Sequence, residues 1–324
     1  MSLLDLSHAK ARCALACGAP VFLPVNPVEF HGPHLSLHND ALISRGVTRD
    51  LHARLVEHHP TWPLLDVDDL EVGVQPVPGP GSRPVPFPVV RRLVREACRA
   101  LAQLGARRVV LMTFHGSPLH GMALEHGVQW LRRRGIHAVA PFNVMLRRLL
   151  TADPRAFDAA FVHVADDTLR ARMQTRFRDD FHGGFLETSM ALHYAPETVH
   201  QGRCALPDCP AVAPSRRLTA AARIAKRLGR DRLCRELEIA AFGSGWYALR
   251  PFPGYTGRPA LASAAAGAAF AQAFLDLAME EILAELEGRL VGLRPLGWWL
   301  PVASLDGRLG GTHVPLEAVT APVL

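Results

Sequence analysis

Apolar and polar positions fall in blocks along the chain, and the blocks change period. "VFLPV", residues 21–25, is an unbroken apolar run of strand length, and "EFHGPHLSLHND", residues 29–40, follows it as a polar stretch rich in histidine. "DALISRGVTRDLHARLVEHH" then sets Ile43, Val47, Leu51 and Leu55 four residues apart, one buried helical stripe, with Asn39 or Asp40 at its N-cap. Residues 76–88, "PVPGPGSRPVPFP", carry too much proline and glycine for regular structure and read as a loop. The rhythm continues with a helix over "VVRRLVREACRALAQLGA" ending near Gly105 and a strand at "RRVVLMTF". A polar turn at "HGSPLHG", a helix at "MALEHGVQWLRRRG" and a strand at "HAVAPFNV" come next. Residues 145–181 read as helical with breaks, "HGGFLETSMALHYAP" as a third polar loop leading into a helix, and the Ala-rich stretch from Pro259 to Leu290 as a long closing helix.

This β-loop-α repetition predicts an α/β fold, a three-layer α/β/α arrangement with a largely parallel central sheet. In such sheets function gathers at the loops leaving the carboxyl ends of the strands, so the clusters at 29–40 and 115–121 are expected to be neighbours in space. With no internal repeat and no flexible linker, residues 1–290 read as one domain. Residues 291–324, with "GWWLP" and "GRLGG", read as an irregular C-terminal extension. Trp298 and Trp299 in it call for a surface to bury against, on the same domain or on a neighbouring subunit.

Composition narrows the class. Hydrophobic residues at 49% and charged residues at 20% describe an ordinary globular protein. The net charge of +6 comes from arginine, since Lys10 and Lys226 are the only lysines, and the arginines lie along helical faces instead of forming one block. Nucleic-acid binding wants clustered charge with interleaved aromatics, and aromatics are 7%. The six cysteines include no CxxC pair, the start lacks a signal-peptide pattern, and no apolar run reaches the ~18 residues that span a bilayer. A cytoplasmic protein with reduced thiols, bound to neither nucleic acid nor membrane, is expected.

The chemistry lies in the polar loops. Glu29 and His31 are two apart, so an extended backbone points both side chains the same way, and Asp40 at the start of the next helix can swing back toward them. Two metal ions close together need a bridging carboxylate with Glu or His on either side, a donor set suited to Zn, Mn or Fe. On these residues alone a hydrogen-bonded loop stands beside the metal reading. Other polar groups take plainer roles: His34 hydrogen-bonded, His38 exposed, His120 lining the pocket, His126 on a helix surface, and Asp66, Asp68 and Asp69 at a solvated strand end. Ser189 reads as a cap or brace for the helix after Glu187.

"LPVNPVEFHGPHLSLHNDALI" resembles the opening motif of the creatininase (creatinine amidohydrolase) family, roughly LPxGSxEQHGPHLPLxTD. Three further segments resemble family motifs in the same order: "TFHGSP" for NGHGGN, "HGGFLETSM" for HAGxxETS, and "GYTGRPALASAAAG" for GxxGxPxxAtxxxG. The resemblance spans about residues 20–285. It implies Glu29 and His31 as metal ligands, Asp40 as the bridge, and His115 and Glu187 as further ligands. His182 matches a histidine placed for proton transfer. The implied protein is a metal-dependent amidohydrolase cleaving a non-peptide C–N bond of a small molecule (amide, cyclic amide or formamide) by a metal-held hydroxide near Asp40. Two divalent ions per chain and a homo-oligomer such as a hexamer go with it. Ser117 stands where creatininase has a glutamate, Thr113-Phe114 replaces Asn-Gly, and Phe30 replaces glutamine. These departures imply another substrate than creatinine and apolar bulk near the pocket. They also leave a non-catalytic, metal-stabilised scaffold or partner-binding subunit as the alternative.

Overall fold

Four parallel strands in the order β2-β1-β3-β4 make the central sheet: β1 Val21–Pro24, β2 Leu65–Asp66, β3 Arg108–Met112 and β4 His137–Val139. The computed structural model describes residues 2–289, 296–308 and 314–319. Val21 pairs with Leu65 on one side and Val109 on the other, and Val109 pairs in turn with Ala138. Strands covered on both faces need no polar alternation, which is why "VFL" and "VVLM" run continuously apolar and are buried throughout.

The helices are α1 His8–Ala16, α2 Asn39–His58, α3 Phe87–Leu104, α4 Pro118–Arg132, α5 Pro141–Thr151, α6 Asp158–Phe161, α7 Asp167–Thr175, α8 Phe185–Tyr194, α9 Arg216–Arg227, α10 Asp231–Tyr247, α11 Ala264–Leu286 and α12 Leu300–Ala303. In one layer α3 packs on α4; in the other α11 packs on α2, α5 and α8, and α9 pairs with α10 beyond them. The expected stripe on α2 is real: Ile43, Val47, Leu51 and Leu55 are all buried. Each such aliphatic side chain contributes ~1.5–3 kcal/mol. On α3 the buried set is Phe87, Val90, Val94, Cys98 and Leu101, and Gly105 ends the helix in the left-handed conformation at φ 109°.

Several predicted boundaries move: His38, not Asn39 or Asp40, holds the N-cap position of α2, and α4 opens at Pro118, inside the stretch read as a turn. The last strand stops at Val139 and Pro141 opens α5, so Phe142, Asn143 and Val144 are helical. Proline at the first helical position lacks only a donor that the helix start leaves unused, and its fixed φ suits that turn. Deep between α11, α4 and α5, Glu281 pairs with Arg147 and Arg148, and Glu285 with Arg132, whose guanidinium also donates to Ala138 O. The described part of the extension folds back on the domain. Trp299 packs against the α9–α10 pair and donates from Nε1 to Glu236 Oε2 at 2.9 Å, whereas Trp298 stays half exposed.

Candidate metal centre

Parallel strands send every carboxyl end to one edge of the sheet, and three loops at that edge build the site. The loop after β1 carries Glu29 and His31, and Asp40 lies in the first turn of α2. Asn26 ties this loop to its neighbours: its N–H and Nδ2 donate to Asp69 (3.1 and 2.8 Å), and its Oδ1 accepts from Phe114 N (3.2 Å). Gly32, at φ 76°, is needed where it stands, because a Cβ there would meet the Tyr255 ring at 2.9 Å. The loop after β3 supplies His115, whose N–H donates to Thr113 Oγ1 (3.2 Å). His182 and Gly183 lead into α8, and Glu187 sits in its first turn, accepting from Gly183 N at 2.6 Å.

All six residues predicted from the sequence meet here, and all are buried. Asp40 is central. Its Oδ1 lies 3.2 Å from His31 Nε2, and its Oδ2 lies 3.7 Å from His115 Nδ1. Glu29 Oε2 stands 2.8 Å from His115 Nδ1 and 3.9 Å from His31 Nε2; Glu187 Oε2 is 3.6 Å from His31 Nε2. Three overlapping donor groups result: Glu29–Asp40–His115, His31–Asp40–Glu187 and Glu29–His31–His182, each with its ligand atoms within 4.8 Å of one another.

Two of the histidines are oriented with one ring nitrogen toward the carboxylates, as metal ligation would need. His31 Nδ1 donates to Glu29 O (3.0 Å) and His115 Nε2 to Val74 O (3.0 Å), which turns His31 Nε2 and His115 Nδ1 inward. Burial opposes charge on both rings, yet Asp40 and its neighbouring carboxylates hold the His31 pKa up at about 10, and Glu29 holds His115 at about 9. Burial pushes Glu187 up to about 8. Glu29 Oε2 and Asp40 Oδ2 are buried without a directed hydrogen-bond partner among the described residues. Orphaned carboxylate oxygens facing inward imidazole nitrogens are a donor set that fits divalent Zn or Mn.

The creatinine amidohydrolase (creatininase) family model matches residues 5–282. The chain belongs to the creatininase family. Among solved structures it is similar to a mutant creatininase of Zn-Zn type, with 19% identity, 88% of this chain and 98% of that one covered, and a TM-score of 0.55. A creatininase structure of the Mn form matches at 18% identity over 88% and 98%, with a TM-score of 0.54. A putative creatinine amidohydrolase from Bacteroides fragilis NCTC 9343 matches at 15% over 90% and 98%, with a TM-score of 0.55. No curated protein matches the sequence. At these identities the structural likeness establishes the creatininase fold.

Several departures from the family motifs resolve in the structure. Ser117 is half-buried and donates to Gln75 Oε1 at 3.4 Å. Phe114 packs in the core against Phe142 (4.9 Å between rings). Phe30 packs against Gly79 and Gly254 and offers its carbonyl to His182 Nε2 (2.9 Å). His120 is buried beside Thr113 Oγ1 and Val25 O, with its ring 5.1 Å from that of His115. His34 is hydrogen-bonded, to Thr188 Oγ1 at 2.9 Å, and His38 is exposed. His126 lies partly covered against Phe87, and Ser189 braces the start of α11 by accepting from Ser263 N (3.2 Å).

The sequence reading missed two supports of His182. Thr256 Oγ1 accepts from the N–H groups of Phe181 and His182 (both 3.1 Å), and Thr256 N donates to His182 O (2.7 Å). Trp246, from α10, sets its ring 5.5 Å from that of His182. Thr256 lies inside the "GYTGRP" segment, so the motif pointed to the place but not to the contact. For Trp246 there was no local signal.

Proposed function

We propose that this chain is a metal-dependent amidohydrolase that cleaves a non-peptide C–N bond of a small amide, cyclic amide or formamide. The observation that carries this reading is Asp40, shared between the Glu29–Asp40–His115 and His31–Asp40–Glu187 groups. Two divalent ions held by those groups would activate a water and polarise the scissile carbonyl. Asp40 would sit between the two positions, with Glu29 and His115 serving one and His31 and Glu187 the other.

His182 is the proton carrier in this proposal. Its Nε2–H donates to Phe30 O, so Nδ1 keeps its lone pair, 4.0 Å from both Glu29 Oε1 and Glu187 Oε2. Burial, reinforced by the charge on His31, lowers its pKa well below the ordinary histidine value. A neutral imidazole with an inward lone pair accepts a proton at Nδ1 and passes it to the leaving nitrogen. The scaffold alternative drew on Thr113-Phe114, but those residues still hold the His115 loop through Thr113 Oγ1 and Asn26 Oδ1, so no observation of its own favours it.

Elemental analysis of the purified full chain, followed by amine-release assays with a panel of cyclic amides and formamides, tests the proposal. About two Zn or Mn ions per chain and turnover of at least one panel member are expected. A folded chain that takes up no ion from micromolar Zn or Mn would overturn it.

A further inference from the structure

The family match ends at residue 282, and beyond it this chain continues to Leu324. Part of that added stretch comes back to the site. Val314 is buried in an apolar cluster with Val77, Trp246 and Phe252, and Phe181, Tyr247, Leu249 and Ala318 pack around it. Phe252 N donates to Ala318 O at 2.7 Å, and Phe252 forms a parallel bridge with Val319. This cluster adjoins the donor groups from two sides. The Val77 N–H donates to Glu29 Oε1, and the Trp246 ring stands 5.5 Å from His182 and 4.8 Å from Phe252. Trp246 Nε1 is fixed by Tyr255 O at 3.0 Å, so the ring has one way to sit. Glu29, through the Val77 N–H, and His182, through the Trp246 ring, therefore adjoin this apolar wall, and Val314 and Ala318 pack on it from the added stretch.

We infer that residues 314–319 are a strap that clamps the Val77–Trp246–Phe252 wall against the candidate metal centre and so limits how readily ions and small molecules enter or leave it. The inference rests on the proposed metal-dependent reading for its meaning, but the strap contact itself is independent of any bound ion. The physical case is simple. Trp246 is held by α10 and by Tyr255 O, but Val77 and Phe252 lie outside helices and strands of the sheet. The order of that part of the wall depends on apolar contacts with whatever lies outside it. Val314 and the Phe252–Ala318 hydrogen bond supply that outer contact.

Hydrogen exchange read by mass spectrometry tests the strap in the full chain, in a chain lacking residues 314–324, and in Val314→Asp. Val302→Asp, at an extension position that is 81% exposed, is the control. In both strap variants the peptides covering 74–82 and 246–256 should exchange about tenfold faster, the factor that loss of one buried valine is worth. Peptides from β1 and β3 and the Val302→Asp protein should stay as in the parent. Unchanged protection at 74–82 and 246–256, or a loss shared equally with β1 and β3, would overturn the inference. Transfer of Mn from the loaded proteins to EDTA should quicken with the exchange, and an unaltered transfer rate would sink the access role. If the intact chain takes up no metal, the proposed function fails, while the exchange comparison still decides the strap.

Discussion

Asp40→Ala should empty both metal positions, whereas His115→Ala should leave about one ion per chain. Asp40 belongs to two donor groups at once, with Oδ1 toward His31 and Oδ2 toward His115. Removing it takes one of three protein donors from each group and deletes the negative charge between two cations. Removing His115 leaves His31, Asp40 and Glu187 complete. A four-ligand structural zinc site is worth ~10–16 kcal/mol, so one donor carries about 3 kcal/mol. That loss weakens binding about a hundredfold at each position it touches. Repulsion between the ions, less screened without Asp40, adds to the loss. After dialysis against micromolar Zn or Mn, mass-spectrometric metal analysis should find Asp40→Ala nearly bare and His115→Ala half loaded, with circular dichroism confirming that both are folded. If both variants lose one ion alike, Asp40 is not the bridge. If Asp40→Ala keeps two, the donor assignment is wrong at its centre.

His182→Gln should keep the metal content of the parent while losing amide turnover, because His182 Nε2 is committed to Phe30 O and its Nδ1 is the proposed proton carrier; a drop of one ion per chain would make it a ligand instead. Thr256→Val should lower stability by ~2–4 kcal/mol, since the N–H groups of Phe181 and His182 lose their acceptor, and Thr256→Ser should restore it. An unchanged melting temperature in the valine variant would refute the clamp. Burial pushes the Glu285 carboxyl up to about 7, against the pull of Arg132 and with the push of Glu125. The unfolded chain releases this proton near its ordinary value of 4.5 while the folded chain keeps it, so this group's contribution to stability falls as pH rises from about 4.5 to about 7 and is level above. Glu285→Gln should flatten that part of the stability–pH curve measured by urea melts, and an unaltered slope between those limits would show that the buried carboxyl does not titrate in this way.

Much of the architecture was legible in the chain itself. Unbroken apolar runs at 21–25 and 109–112, separated by a stripe of Ile43, Val47, Leu51 and Leu55, leave a parallel sheet with helical cover as the natural solution, because only strands buried on both faces tolerate such runs. The parallel arrangement then brings Glu29, His31, Asp40 and His115 to one edge, since every strand exits there. Glu187 and His182 were found through the family motif, because the loop carrying them follows no strand of the sheet and joins the edge through α8.

What the tertiary structure decided is which atoms face the candidate centre. His31 Nε2 and His115 Nδ1 face inward because Glu29 O and Val74 O hold the other nitrogens, and His182 keeps Nδ1 free because Phe30 O takes its Nε2–H. Every residue has a backbone carbonyl, so these partners leave no mark on residue type and no pattern can reveal them. The same holds for Trp246 beside His182 and for Val314 behind it: both are placed only by packing across long stretches of chain, where burial depends on what the fold sets around them. The sequence set the candidate donors and the edge they share; three-dimensional packing set their direction and their cover.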